Sequence, residues 1–280
     1  MKIVYIGGVE IGHTILKSVY ETNTIVDTVF TLPFDMEDKT SGFIDFEPLV
    51  NCNESQLIRV SNINEKKYID KIKAICPDLI IVCGWQRLIC SEILDIPKLG
   101  CIGFHSSLLP KYRGRAPVNW AILMGEKETG ITMFYLTPEA DDGDIIAQRA
   151  FPILLNDDCN TIYKKSASAG AELINEYLGK IETQSAPRLH NPSGSYPAYP
   201  KRTPVDGLID FKRSASDIYN FVRALTKPYP GAYYFNKNGI KIIVWKIEIV
   251  FDETRLKIED VLFDTLDLKV RLIDFKEENK

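Results

Sequence analysis

Through its first 180 residues the chain alternates short apolar runs, each bounded by turn residues, with stretches of helical periodicity. A parallel strand is reached only by a long crossover, usually helical, and both faces of its sheet must then be covered, so this order predicts an open, mostly parallel α/β sheet. Its strands fall at Ile3 to Ile6, Ile25 to Leu32, Asp78 to Cys83, Cys101 to Phe104, Ile131 to Leu136 and Ile145 to Leu154. Its helices fall at Ile11 to Tyr20, Asn64 to Ile75, around Ser91 to Leu94, from Pro117 onward, and from about Thr161 to Ile181.

Prolines crowd the stretch from Gln184 to Pro204, which suits an extended linker. The expected division is thus a catalytic domain over residues 1–184, a linker over 185–203 and a small, mostly β C-terminal domain over 204–280. In that last part Ala215 to Leu225 has helical spacing, Asn238-Gly239 reads as a hairpin turn, and Ala232 to Phe235, Ile240 to Val250 and the last 25 residues carry strand composition. Exposed strand edges with Phe251, Leu262 and Phe263 offer a surface for a homodimer.

Charge and composition narrow the partners. The formal net charge of the 280 residues is −4, and from residue 201 onward 15 Lys or Arg face 13 Asp or Glu. A surface built to grip nucleic acid concentrates cations, so nucleic acid is disfavoured. No apolar run approaches the roughly 20 residues that cross a bilayer, and Met1 to Gly7 lacks the form of a secretion signal, so no membrane partner and a cytoplasmic location are expected. Six cysteines lie scattered without CxxC pairs or a neighbouring His, which predicts reduced thiols and no metal.

The chemistry concentrates in two places. Gly7-Gly8-Val9-Glu10-Ile11-Gly12 lacks both GxGxxG and GxxxxGK[ST], so it predicts a tight turn into a helix. His105 instead follows a strand directly and opens an Arg-rich loop, at the carboxyl end of the sheet where ligands of open α/β folds bind. The acidic loop Thr137 to Asp144 joins two expected strands and returns to the same end. A carboxylate set against an imidazole fixes its tautomer, as general acid/base catalysis requires.

The run His105-Ser106-Ser107-Leu108-Leu109-Pro110-Lys111-Tyr112-Arg113-Gly114, with Asn119-Trp120 and Thr129-Gly130-Ile131-Thr132 through Asp141-Asp142-Gly143, resembles the folate-dependent formyltransferases. Past the linker, Arg202 to Asp210 and Phe221 to Ala232 are similar to the nucleotide-sugar branch, including the enzyme acting on amino-arabinose. The resemblance implies a Rossmann-like formyltransferase fold and transfer of a formyl group from N10-formyltetrahydrofolate to an amine, without a metal. It implies His105 as proton carrier and Asp141 as its orienting carboxylate. It also implies cofactor contacts from Trp85, Gln86, Arg87, Leu88 and Ile89 after the central strand, and from Asp142, Gly143 and Asp144.

One position departs from the family. Where its members carry Asn two residues before the His, this chain has Gly103. Removing one such donor to a developing oxyanion costs about 10²- to 10³-fold in turnover. Gln86, Asn119, a backbone N–H or a water replaces it, or the enzyme is slow, or it is a folate-binding homologue without activity.

A tRNA substrate calls for a larger, more basic C-terminal domain to follow the phosphate backbone. The short, neutral tail instead favours a dTDP- or UDP-linked aminosugar for surface polysaccharide such as the lipopolysaccharide O-antigen, with methionyl-tRNA as the alternative. Tyr199, Lys201, Arg202, Tyr229 and Tyr233 are the candidates for base, diphosphate and sugar, and Arg223 is expected to be a structural ion-pair partner.

Overall fold

The structure is a computed structural model that describes residues 1–22, 24–252, 254 and 261–278. Two compact units emerge. The first comprises Met1–Gly114, Thr129–Phe151 and Tyr163–Ala198, and the second Arg115–Glu128, Pro152–Ile162 and Tyr199–Lys280. The sequence division at 184 assigns 115–128 and 152–162 to the catalytic domain. Spatial proximity groups them with the tail, because the helix Pro117–Leu123 packs on Ala215–Leu225, and Asn119 Nδ2 donates to Ala224 O at 2.5 Å.

The first unit holds a seven-stranded sheet: β1 (Lys2–Gly7), β2 (Ile25–Thr31), β3 (Gln56–Arg59), β4 (Leu79–Cys83), β5 (Cys101–His105), β6 (Glu128–Tyr135) and β7 (Ile145–Pro152). Their spatial order is β3-β2-β1-β4-β5-β6-β7. The first five are parallel, and β5 meets β6 antiparallel with His105 opposite Thr132. The mostly parallel α/β sheet is therefore as expected, with β3 and a short helix α2 (Glu47–Asn51) in addition. Both extra elements span only four or five residues, too few to show a period.

Both sheet faces are buried, as the apolar runs require. On one face Ile3, Tyr5, Leu79, Ile81 and Ile102 pack against Ile15, Leu16 and Val19 of α1 (Glu10–Tyr20) and Leu173, Ile174, Leu178 and Ile181 of a long later helix. On the other, Val4, Ile6, Ile80, Val82 and Cys101 meet Ile69 and Ile72 of α3 (Lys66–Ile75) and Ile93 of α4 (Ser91–Leu94). Each such side chain contributes about 1.5–3 kcal/mol by leaving water. The helix α3 ends where Cys76 turns left-handed (φ 52°) ahead of Pro77, whose ring disfavours helical backbone in the residue before it.

The glycines before and within the first turn of α1 serve packing. A Cβ at Gly12 would lie 2.4 Å from Cys83 O, so only glycine lets this helix approach β4 so closely. After α5 (Pro117–Leu123) comes the long helix, α6 (Cys159–Glu182).

In the second unit α7 (Ala215–Leu225) covers an antiparallel sheet ordered β10-β11-β9-β8, from β8 (Ala232–Phe235), β9 (Lys241–Val250), β10 (Leu262–Asp264) and β11 (Lys269–Glu277). Ile218, Val222 and Leu225 bury against Ile242, Val244, Val270 and Leu272. Ser214 caps the helix by accepting from Asp217 N, and Asp267 accepts from Ala215 N at 2.8 Å. Phe263 lies on the edge strand β10 and is half-buried, its ring stacked on Phe211 at 4.2 Å against this core. Leu262 is half-buried and Phe251 is 81% exposed. Within the last 25 residues, 256–260, 279 and 280 lie outside the described residues. Among the described residues no helix is long and apolar enough to cross a membrane.

Candidate active site

The sheet delivers His105 to the carboxyl end of β5, where it is 8% exposed. The chain then turns sharply: Ser107 N donates to His105 O at 2.8 Å, and Ser107 Oγ donates to Lys111 O at 2.6 Å. Thr132, fully buried on β6, fixes this turn. Its hydroxyl donates to Ser107 O at 2.6 Å and accepts from Leu109 N at 3.0 Å and Gln148 Nε2 at 2.9 Å. With Gln148 Nε2 also reaching Leu109 O at 2.8 Å, the loop after His105 is tied to β6 and β7.

The imidazole sits between two acceptors. Its Nε2 lies 2.9 Å from Tyr112 O, and because a carbonyl only accepts, Nε2 carries a proton. Its Nδ1 lies 3.5 Å from Asp141 Oδ1, within ion-pair reach and slightly long for a hydrogen bond. Both acceptors are satisfied together only when Nδ1 is protonated as well, that is, by the imidazolium. The geometry suits a ring that accepts a proton and passes it on.

Asp141 is held on several sides. Its Oδ2 accepts from Gly114 N at 2.7 Å, and its carbonyl accepts from Asn191 Nδ2 at 3.0 Å. Its backbone is left-handed (φ 53°), a conformation that costs of order 1 kcal/mol outside glycine and that Asp and Asn tolerate best. Arg113 bridges Ala140 O at 2.9 Å and Ser193 O at 3.0 Å, and Ser193 Oγ donates to the Asp142 carboxylate. Gly143 is a close approach, since a Cβ there would come within 1.8 Å of Tyr135 O. Asp144 lies 3.9 Å from Arg188, whose guanidinium stacks 3.6 Å above the Tyr135 ring.

The cofactor candidates Trp85 to Ile89 form the loop after β4. Gln86, Arg87 and Leu88 are exposed, Ile89 is buried in the core, and Asn64 fastens the loop through Leu88 O (2.9 Å) and Cys90 N (3.0 Å). Trp85 Nε1 is buried without a hydrogen-bond partner. A loop with three exposed residues and an orphaned indole N–H fits a polar heteroaromatic ring such as a pterin. Burial pushes the neighbouring Cys83 thiol up to about 12, which leaves it unreactive beside this loop.

At Gly103 a Cβ would meet Leu136 Cδ2 at 2.5 Å, so the Leu136 side chain fills the space an asparagine would enter. Asn119, one of the replacements considered for the missing amide, is 2% exposed and engaged with Ala224 O in the second unit. Gln86 keeps an exposed side chain.

Of the substrate candidates, the second unit brings two together. Tyr199 and Trp120 rings lie 5.1 Å apart, and the Arg202 guanidinium sits 5.2 Å from the Trp120 ring and 5.7 Å from that of Phe221. Arg202 Nη2 donates to Asp206 O at 2.6 Å, while its buried Nε has no partner. Lys201 is exposed beside this group and Tyr229 is half-buried. Tyr233 lies elsewhere, on β8, under Lys241 Nζ at 4.8 Å. Arg223 is structural, as expected, but through carbonyls: Nη1 donates to Leu154 O at 2.9 Å and Asp157 O at 2.7 Å.

Sequence reasoning missed Thr132, Gln148, Asn64, Asn191 and Ser193, which touch the site's loops through long-range hydrogen bonds. Gly114, whose N–H donates to Asp141 Oδ2, lies in the run that follows His105 and was legible there.

A buried imidazole facing an aspartate at the carboxyl end of such a sheet is suited to moving a proton during group transfer. Residues 1–178 match the formyl transferase family and residues 201–258 its C-terminal domain, so the chain belongs to the formyl transferase family. It is similar to the bifunctional polymyxin resistance protein ArnA of Wigglesworthia glossinidia brevipalpis, 37% identical over 257 residues, covering 90% of this chain but 38% of that protein. It is also similar to a methionyl-tRNA formyltransferase of Clostridioides difficile, 34% identical over 277 residues, covering 98% of this chain and 89% of that protein. Among solved structures, the sugar 3N-formyl transferase WlaRD, determined in the presence of dTDP and 5-N-formyl-THF, superposes with a TM-score of 0.72 at 20% identity, covering 100% of this chain and 98% of that one. An N-formyltransferase from Helicobacter canadensis in complex with folinic acid and dTDP-3-aminofucose gives 0.71 at 20% identity, covering 99% and 100%.

Proposed function

We propose that the chain moves a formyl group from N10-formyltetrahydrofolate to the amine of a dTDP- or UDP-linked aminosugar. The observation that carries the chemistry is the His105 ring set between Tyr112 O and Asp141 Oδ1. When bound, the folate supplies an activated formyl carbon; Trp85 to Ile89 hold its pterin, and Asp142, Gly143 and Asp144 flank it. An aminosugar arrives largely as an ammonium and must lose a proton before it can attack. His105 takes that proton at Nδ1 and holds it while Nε2 donates to Tyr112 and Nδ1 to Asp141. As the formyl group changes partner, the ring would give this proton to the departing folate nitrogen and return to its starting tautomer, while the second proton shed by the new amide nitrogen would leave to water. Gln86 is the side chain proposed to provide the amide that Gly103 lacks.

The Trp120, Tyr199 and Arg202 group supports the sugar-nucleotide substrate: flat rings suit a base, and a guanidinium beside them suits a diphosphate. The near-neutral residues from 201 onward support it as well. Methionyl-tRNA is the second reading, favoured by the relative that aligns with 98% of this chain. That alignment removes the weight of tail length and leaves charge as the discriminator. The test is to mix the protein with formyltetrahydrofolate and either a panel of dTDP- and UDP-aminosugars or methionyl-tRNA, and to follow tetrahydrofolate release. Turnover with an aminosugar alone supports the proposal; turnover with the tRNA alone replaces it; folate binding without turnover on any amine leaves a binding protein.

A further inference from the structure

The segment after α6 reads in sequence as a linker, yet through Ala198 it belongs to the first unit and returns to the acidic loop. Leu189 pairs with Ile145 through both backbone groups, at 2.8 and 2.9 Å. Asn191 and Ser193 are only 3% and 2% exposed. Asn191 Nδ2 donates to the carbonyl of Asp141, Ser193 Oγ donates to the Asp142 carboxylate, and Arg113 ties Ser193 O to Ala140 O. Two of these loop residues are thus gripped by side chains some 50 positions later, and a third, Ala140, through Arg113 and the Ser193 carbonyl.

We propose that Asn191 and Ser193 are positioning residues that hold the strained Asp141 backbone so that its carboxylate faces His105. The inference rests on the reading of His105 and Asp141 as the proton-handling pair. The Asp141 carboxylate has one backbone donor, Gly114 N, and its contact with His105 is already 3.5 Å long. Its aim is therefore set by where the loop backbone stands, and at that loop only Asn191 among the described side chains bonds the Asp141 carbonyl. A buried, hydrogen-bonded amide fixes such a carbonyl at one place, and losing it frees the left-handed residue to relax.

The experiment uses the full-length chain with Asn191→Ala and Ser193→Ala, each alone and combined with Asp141→Asn. The first readout needs no substrate: the ring nitrogen resonances of His105 at pH 7.5, assigned by their loss in His105→Gln. Asp141→Asn moves them; Asn191→Ala and Ser193→Ala move them in the same direction, and neither moves them further once Asp141 is Asn. The second readout is turnover with whichever amine is accepted, where kcat falls by about 10- to 100-fold, as small misplacements of reacting groups do. KM stays within about 3-fold. His105 resonances that stay in place in both single variants overturn the inference, as do shifts that simply add to those of Asp141→Asn. If Asp141→Asn itself moves nothing, no contact exists for the segment to hold, and the inference falls. If no amine is formylated, the functional reading fails while the resonances still decide the positioning. Ser193→Ala deletes one hydroxyl and is expected to fold even if Asn191→Ala does not.

Discussion

Replacing Gly103 with alanine tests whether Leu136 occupies the place of the missing amide. An added Cβ would stand 2.5 Å from Leu136 Cδ2 and 3.2 Å from its Cγ, with Phe134 Cε1 at 3.5 Å. Carbon pairs prefer about 3.5–4.0 Å, so the end of Leu136 must retreat by about 1 Å. Overpacking of this kind costs about 1–3 kcal/mol. Against it, alanine in a strand gains about 0.5–1 kcal/mol over glycine from a less disordered unfolded chain. Gly103→Ala alone should therefore destabilise by about 0.5–2 kcal/mol. Leu136→Ala, at a half-buried site, should cost about 1–2 kcal/mol and remove the obstacle. In that background the sign reverses, and Gly103→Ala stabilises by about 0.5–1 kcal/mol. Trp85 is the one tryptophan in the first unit, so its fluorescence in a Trp120→Phe/Trp245→Phe protein reports that unit during urea unfolding. With an m-value of about 2 kcal/mol/M, each kcal/mol moves the midpoint by about 0.5 M. Equal shifts of the same sign in both backgrounds would refute the reasoning. The same cycle bears on catalysis, because an asparagine at 103 then needs Leu136→Ala to enter at all.

Asp141→Asn keeps a residue that tolerates left-handed backbone while removing the charge beside His105, and should lower kcat by about 10²- to 10⁴-fold with the melting temperature little changed. Alkylation at pH 8 should modify the exposed Cys52 and Cys76 first, while Cys83, Cys101 and Cys159, whose thiols burial pushes up to about 12, react only on unfolding; early mass addition at any of these three contradicts the packing. Asp78 is held below the usual carboxylate range by Lys98 Nζ and then by Lys2 N, so it stabilises the fold above its unfolded value near about 3.9 and loses that contribution as the pH falls through its lower folded value. Asp78→Asn should then be less urea-resistant than wild type at pH 7, with the gap narrowing as the pH falls below about 4 and lost only below the folded value; a gap that does not narrow on this descent would rule out the linkage.

Much of the first unit was legible because each buried strand is a nearly unbroken apolar run, as at Leu79–Cys83, and each helix carries a one-sided stripe. What escaped depends on three-dimensional closure. Gln56–Arg59 pairs with β2 at the sheet edge and packs Leu57 and Ile58 on opposite faces, but four residues are too few to show a period. Helix α5 has the same local signature wherever it packs, so only its contact with α7 places it in the second unit. His105 and Asp141 could be picked out because the loop chemistry around them is dense in charge, proline and glycine. Asn191 and Ser193 could not, since a polar residue in a proline-rich run looks the same whether it faces water or a buried carbonyl. Phe263 does stand on an edge strand, but its stacking on Phe211 is a contact across 52 positions that no local pattern reveals.

The chain passes between its two units five times, at residues 114/115, 128/129, 151/152, 162/163 and 198/199. The tail is therefore no interchangeable cassette. A fragment ending at Ala198 would still carry Val118, Ala121, Ile122, Cys159 and Ile162, all fully buried in the intact chain and all belonging to the second unit. Stripped of the helix and sheet that follow, those side chains would make the fragment sticky, and grafting another protein's tail at the same point would require recutting α5 and the start of α6 to match. Exchanging the second unit thus means transplanting three separated stretches of sequence together.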